Sequence, residues 1–270
     1  MKSQKLFLNL ACGDYFISSS SWENVDWATK SREIKQINLL EKFPYLDGSF
    51  EIVYCSHFVE HIPYAQLQFF LEECYRVLKK HGVIRLVLPD FENIAREYIK
   101  NLDEHNFQYA EFNIIEMIDQ CVRAKSGGRL VEYYRGVSEV EFQKYISRRT
   151  GYIFKKNSTT RSYSLMLFKK ITIRKIQFKI QKFFIGIIIA SLPKWYVQNH
   201  ISNVETGELH RWVYDFNSVR NVLNQVSFHS VIKLDAFTSL HMQFPNIPLD
   251  VDEKGNIRKG IESMYIEAVK

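Results

Sequence analysis

Apolar and polar positions fall into short blocks over the first hundred residues. Lys5 to Cys12 (KLFLNLAC) is an almost unbroken apolar run that reads as a buried strand ending at Gly13. Glu23 to Trp27 and Lys35 to Leu40 read as two further short strands. Asp47-Gly48 marks a turn, and Phe50 to Cys55 follows as a fourth strand rich in aromatic and β-branched residues. The period then changes. Leu67, Phe70, Leu71, Cys74 and Leu78 form one apolar stripe at helical spacing, which predicts a helix from Tyr64 to Lys79 closed by Gly82. Val83 to Leu88 is a fifth strand, stopped by Pro89-Asp90. Strands alternating with helical or loop crossovers predict an α/β fold with a doubly wound parallel sheet. Such sheets bind ligands at the carboxyl ends of their strands. Here those ends carry Ala11-Cys12-Gly13-Asp14, Asp26, Asn38, Ser56-His57 and Asp90, an unusually polar set.

Composition narrows the class. The chain has 270 residues, 46% of them apolar and 24% charged, enough for one large α/β domain or two small ones and too apolar for intrinsic disorder. Cys12, Cys55, Cys74 and Cys121 form no CxxC pair, which suits a reduced, cytoplasmic setting. The apolar run near the N-terminus is too short for a signal peptide, and no apolar stretch reaches the ~18 residues that a membrane span needs.

The strand ends suggest nucleotide chemistry. Gly13 allows a sharp turn and a close backbone approach, and a carboxylate such as Asp26 can accept hydrogen bonds from both hydroxyls of a ribose. A dinucleotide-dependent dehydrogenase is excluded, because GxGxxG is missing and Asp26 follows Gly13 by 13 residues, where that fold expects about 20. No phosphate-binding Walker sequence is present either. LNLACGDYF, WENVD, FPYLDGSFEIVYCSHFVEHI and LEECYRVLKKHGVIRLVLPD, in that order, resemble the class I S-adenosylmethionine (SAM)-dependent methyltransferases. The likeness is nearest to a small branch often found with bacterial surface-polysaccharide genes. It resumes at GELHRWVYDFNSVRNVLNQVSF and at the last strand, ESMYIEAVK.

The resemblance implies a Rossmann-like, seven-stranded, mostly parallel sheet with an antiparallel final strand, and SAM as cofactor. It implies that Leu10, Ala11, Cys12 and Gly13 wrap the methionine part and that Asp26 holds the ribose. Asn38 and Leu39 would flank the adenine, and Ser56 and His57 would line the methyl-transfer side. The family's usual glycines give way to Ala11 and, later in the loop, Tyr15.

Three histidines are candidates for catalysis: His57, His61 and His210. If SHFVEH opens a helix, His57 and His61 share a face. Three roles stay open for this segment. In one, His57 or His61 is a general base toward an acceptor hydroxyl; in another, His57, Glu60 and His61 bind a divalent metal; in the third, which the frequency of this motif across many substrates favours, Glu60 and His61 fix the loop. His210, in GELHRWVYDF, either faces the acceptor or caps the following helix, expected at Phe216 to Gln225. Trp212 and Tyr214 are either an aromatic platform for a sugar or core.

Charge then separates off a segment. Phe142 to Val204 contains no Asp or Glu and carries +13, so the rest of the chain is −7 against a net +6. Residues 103–204 read as a basic, mainly helical insert between a cofactor-binding half (1–102) and a returning C-terminal part (205–270). Ile173, Ile176, Ile180, Phe183, Phe184 and Ile187 share a helical face opposite Lys170, Arg174, Lys175, Lys179 and Lys182, and FFIGIIIASLPKW continues the run. A basic amphipathic helix with an apolar plug suggests that the 161–195 segment meets an anionic membrane surface. Such an enzyme is expected to O-methylate a sugar hydroxyl of a surface glycan or its lipid-linked precursor, in the cytoplasm or on the cytoplasmic face of the membrane. Two other readings are a non-catalytic module that recruits partners to a membrane, and an RNA methyltransferase. Nucleic acid ranks lower, because the insert's aromatics sit among aliphatics and not among lysines.

Overall fold

A computed structural model describes residues 6–28, 31–154, 173–194, 196–197 and 207–270. Lys5, the basic residues from Lys155 to Lys170, and Trp195 lie outside the described residues.

Among the described residues, seven strands form one sheet in the order β3-β2-β1-β4-β5-β7-β6. The strands are β1 (Phe7–Leu10), β2 (Trp22–Asp26), β3 (Ile34–Gln36), β4 (Phe50–Ser56), β5 (Leu78–Pro89), β6 (His229–Leu234) and β7 (Ser263–Val269). β1 pairs in parallel with β2 and β4, as β2 does with β3 and β4 with β5, while β7 runs antiparallel to both β5 and β6. The expected Rossmann-like sheet with an antiparallel last strand is therefore present. The strand order reverses between β1 and β4, which opens a crevice at their carboxyl ends.

Two expectations need correction. The helix α1 (Tyr64–Val77) ends before Leu78, and Lys79, Lys80 and Gly82 belong to β5. Pairing with β4 already starts at Leu78, and a register shift follows before Val83, so the charged stretch bulges where the sequence suggested a helix C-terminus. The third strand is also shorter than expected. Its pairing with β2 stops at Gln36, and Asn38 begins a turn by accepting a hydrogen bond from the Leu40 amide at 3.1 Å.

The stripe on α1 is buried as its spacing requires: Leu67, Phe70, Leu71 and Cys74 join Leu8, Leu10, Val53 and Leu86 in the larger core cluster. The other face of the sheet packs Phe7, Trp22, Ile52 and Tyr54 against Phe244 and Leu249. Arg85 lies fully buried there. It donates to Asp250 and Glu267 at 2.7 Å each and to the carbonyls of Thr238 and Asp235. A buried guanidinium is tolerable only with this degree of satisfaction.

Among the described residues the insert is helical, as expected. After α2 (Phe91–Asp103) come α3 (Phe107–Val122), α4 (Gly128–Gly136), α5 (Val140–Thr150) and α6 (Ile173–Ser191), and α7 (Phe216–Gln225) returns the chain to the sheet. Phe112, Tyr134, Phe142, Tyr145 and Ile146 build a separate small core among α3, α4 and α5. The end of α5 meets the residues before β7 backbone to backbone: Ile261 and Glu262 donate to the carbonyls of Arg148 and Arg149. Only glycine fits this approach. A Cβ on Gly260 would lie 1.9 Å from the Arg149 oxygen, and one on Gly151 would lie 2.3 Å from the Arg258 oxygen.

Candidate active site

The loop after β1 is held by the acid that ends β2. Asp26 accepts from the Gly13 amide at 2.9 Å and from the Ala28 amide at 3.0 Å. Ala11 (φ 51°) and Gly13 (φ 55°) both have left-handed backbone, which turns the chain sharply after β1. The space above Gly13 is open, with no heavy atom within 4 Å of where a Cβ would stand. Asp26 is only partly covered and its carboxylate keeps free lone pairs. Open space over a turned backbone, beside a carboxylate with spare acceptor capacity, fits the methionine and ribose parts of SAM.

The other expected cofactor residues divide. Leu10 and Leu39 are buried in the large core, so both contribute backbone to the strand ends while their side chains face inward. Cys12 is buried, and burial with the nearby Asp26 charge pushes its thiol up to about 12, so it is an inert neutral group. Asn38 pairs through its amide with Glu41 at 2.7 Å. Tyr15 lies under the Arg258 guanidinium, 4.5 Å from its ring centroid, and so joins the cofactor loop to the segment before β7.

At the end of β4 the chain does not enter a helix directly. His57 takes a left-handed backbone (φ 51°) and a 3-10 turn follows at Val59–His61. His57 and His61 therefore do not share a helix face, a correction to the spacing argument. They meet through Glu60 and through a segment distant in sequence. His57 Nδ1 is 3.1 Å from Glu60 Oε1, and its Nε2 is 3.1 Å from the Ser263 hydroxyl. His61 Nδ1 is 3.0 Å from the Leu209 carbonyl, which fixes that nitrogen as the donor. The Glu60 carbonyl accepts from the Arg211 amide at 2.6 Å. These bonds bring His210 beside His61, with ring centroids 4.8 Å apart.

Charge is tightly controlled here. Burial alone would raise the Glu60 carboxyl, but the rings of His57, His61 and His210 outweigh it and hold it at about 2. Burial pushes His57 below the ordinary histidine value against the opposing pull of Glu60, and pushes His210 down to about 4. At neutral pH the cluster is thus an ionised glutamate with neutral His57 and His210.

A cavity of about 290 Å³ opens beside these groups. His57, Glu60 and His210 line one side, and the insert supplies Glu116, Gln120, Tyr134 and Tyr152 on another. Trp212 and Tyr214 also line it, and they behave differently. Tyr214 is buried core, whereas Trp212 is 48% exposed and rests against Tyr64 at 5.1 Å. The third wall, Arg258, Lys259 and Glu262, was not anticipated from sequence. Burial lowers the Lys259 ammonium against the pull of Glu60 and Glu262, and burial beside Glu116 holds the Glu262 carboxyl well above the usual range. The available signal was Gly260, a glycine in a glycine-poor chain that marks the close approach to α5.

Residues 8–86 match the family model described as a methyltransferase domain. No curated protein matches the chain. Among solved structures, a SAM-dependent methyltransferase of Archaeoglobus fulgidus is 13% identical with TM-score 0.40, over 100% of this chain and 87% of that one. A SAM-dependent methyltransferase of Thermotoga maritima is 11% identical with TM-score 0.40, over 98% and 82%. Residues 8–86 therefore carry a methyltransferase domain, built on strands β1 to β5, and the carboxyl ends of those strands are where SAM would bind.

Proposed function

We propose that the enzyme methylates a sugar hydroxyl of a surface glycan or of its lipid-linked precursor. The observation that carries this reading is the lining of the cavity beside His57. Tyr134, Tyr152 and Trp212 offer aromatic surface to the apolar face of a sugar ring, while Gln120, Glu116 and Lys259 offer donors and acceptors to its hydroxyls.

The cofactor, when bound, supplies an already activated methyl group, so the chain's task is mainly alignment. Leu10 to Gly13, Asp26, Asn38 and Leu39 would hold it from the strand ends. Ser56 and His57 would stand between it and the acceptor cavity. A neutral His57 is suited to take the acceptor's proton, and the Glu60 carboxylate 3.1 Å away would stabilise the imidazolium that forms. His210 and His61, on the far side of Glu60, complete the set of candidate catalytic rings.

The second half of the reading is attachment to the cytoplasmic face of a membrane. On α6, Ile180, Phe183, Phe184, Ile185, Ile187 and Ile188 are all exposed, a contiguous apolar surface that supports contact with lipid. Among the described residues no helix is long and apolar enough to cross a membrane.

The test is methyl transfer from labelled SAM to free glycan, lipid-linked glycan and RNA acceptors. Transfer to glycan, with kcat reduced roughly 10²–10⁴-fold in His57→Ala, is expected. Turnover on RNA alone, lost steeply with salt, would overturn the acceptor assignment.

A further inference from the structure

Glu60 is the buried carboxylate of this cluster. It is 2% exposed, and neither carboxylate oxygen receives a well-directed hydrogen bond. Its close neighbours are the His57 ring nitrogen 3.1 Å from Oε1 and, electrostatically, the Lys259 ammonium, so a buried carboxylate keeps acceptor capacity that a cation can take up. One nitrogen of His61, one of His210 and a carboxylate oxygen of Glu60 all lie within 4.8 Å of one another.

We propose that Glu60, His61 and His210 bind a single divalent transition-metal ion at the edge of the acceptor cavity. Two imidazoles and one carboxylate are a ligand set for Zn²⁺, Fe²⁺, Co²⁺ or Ni²⁺, whereas Mg²⁺ and Ca²⁺ prefer oxygen alone. Bonds of about 2.1 Å put ligand atoms roughly 3.0–3.5 Å apart, so the cluster closes by about 1.8 Å at most around the ion. The surrounding bonds already orient the ligands. His61 gives its Nδ1 proton to the Leu209 carbonyl at 3.0 Å, leaving the Nε2 lone pair for the metal. The Gln120 carboxamide stands 2.8 Å from His210 Nε2, and with its oxygen turned to that nitrogen it accepts the Nε2 proton and leaves the Nδ1 lone pair for the metal. Metal-ligating histidines are typically oriented by such a partner on the other nitrogen. The hydrogen bonds from Arg211 and Trp212 to the Glu60 carbonyl lock the two ligand-bearing segments together across about 150 residues of sequence.

Three protein ligands leave coordination positions open. Glu60 and His210 line the cavity, so those positions face the space where an acceptor would lie. On the methyl-transfer reading above, an acceptor hydroxyl bound there would lose its proton more readily. Metal binding itself does not depend on that reading.

The test uses the full chain, stripped with a chelator and titrated with Co²⁺ alone, followed by visible absorption and calorimetry. One Co²⁺ per chain is expected, with absorption bands of nitrogen and oxygen ligation and a rise in melting temperature. Affinity should fall at least about tenfold in His210→Ala and in Glu60→Gln, and about tenfold in Gln120→Ala, which removes only an orienting partner. His229→Ala, at an exposed position distant in sequence from the cluster, should bind as wild type. Less than one Co²⁺ bound by the wild type, or equal affinity in all four variants, overturns the proposal. Binding of S-adenosylhomocysteine, measured on the same stripped protein, reports separately on the cofactor site.

Discussion

Replacing Asp26 by alanine separates a binding role from a structural one. In the structure Asp26 accepts from the amides of Gly13 and Ala28. Both bonds lie at the surface, where water replaces a lost acceptor, so their removal should cost only about 1 kcal/mol of stability. A ribose bound at the strand ends adds two hydrogen bonds to a charged acceptor, each contributing about 1.5–3 kcal/mol. Taking the lower value for a partly exposed site, the loss of affinity is about 3 kcal/mol, or roughly 150-fold. Isothermal titration of S-adenosylhomocysteine into wild type, Asp26→Ala and Asp26→Asn measures it. Asparagine keeps one oxygen for the Gly13 amide or a hydroxyl but loses the charge, and should fall between the other two. If Asp26→Ala binds within threefold of a wild type that itself binds, the ribose is not held at the end of β2 and the placement of the cofactor is wrong.

Other expectations follow from particular contacts. Arg85→Met would leave Asp250 and Glu267 buried without their cation, at a cost of about 3–5 kcal/mol in urea denaturation; a change below about 1 kcal/mol would show that the carboxylates are neutral in the fold. Glu73 is hydrogen-bonded by Arg76 and by the Phe43 amide, which hold its carboxyl below the ordinary value despite burial. Its stabilisation is therefore present above the unfolded value of about 4.3 and lost as pH falls through the lower folded one. Wild type should exceed Glu73→Gln in stability at pH 6, with the gap closing below about pH 4; a gap that persists in acid would rule out the ionised pair as its source. Replacing both Phe183 and Phe184 by aspartate should reduce sedimentation with anionic vesicles more than tenfold, since burying one phenylalanine contributes about 1.5–3 kcal/mol. Unchanged sedimentation would remove α6 from the membrane reading.

Much of the sheet was legible because its strands are short apolar runs closed by turn residues. Phe50 to Cys55 and the helix at Phe216–Gln225 came out within a residue or two. The break between α1 and β5 did not. Lysines and a glycine suit a helix end locally, and only pairing of Leu78 with Phe50 on β4 draws the backbone into the sheet. Equally legible was the position of Ala11 to Gly13 and Asp26, which stand at the ends of β1 and β2 where strands were predicted. The cavity beside His57 was not legible, because its residues come from α3, α4, the turn after α5 and the approach to β7.

By itself, then, the sequence determines the alternation of strands and helices, the polar strand ends and the contrast between an acidic body and a basic insert. Each of these depends on neighbours a few residues apart, through side-chain period and local backbone preference. Tertiary structure alone decides that Glu60 sits buried among His57, His61 and His210, and that Gly151 and Gly260 let the insert close over the sheet. The physical reason is that burial, charge compensation and backbone approach are set by groups about 100 to 150 residues away, and no local pattern records them.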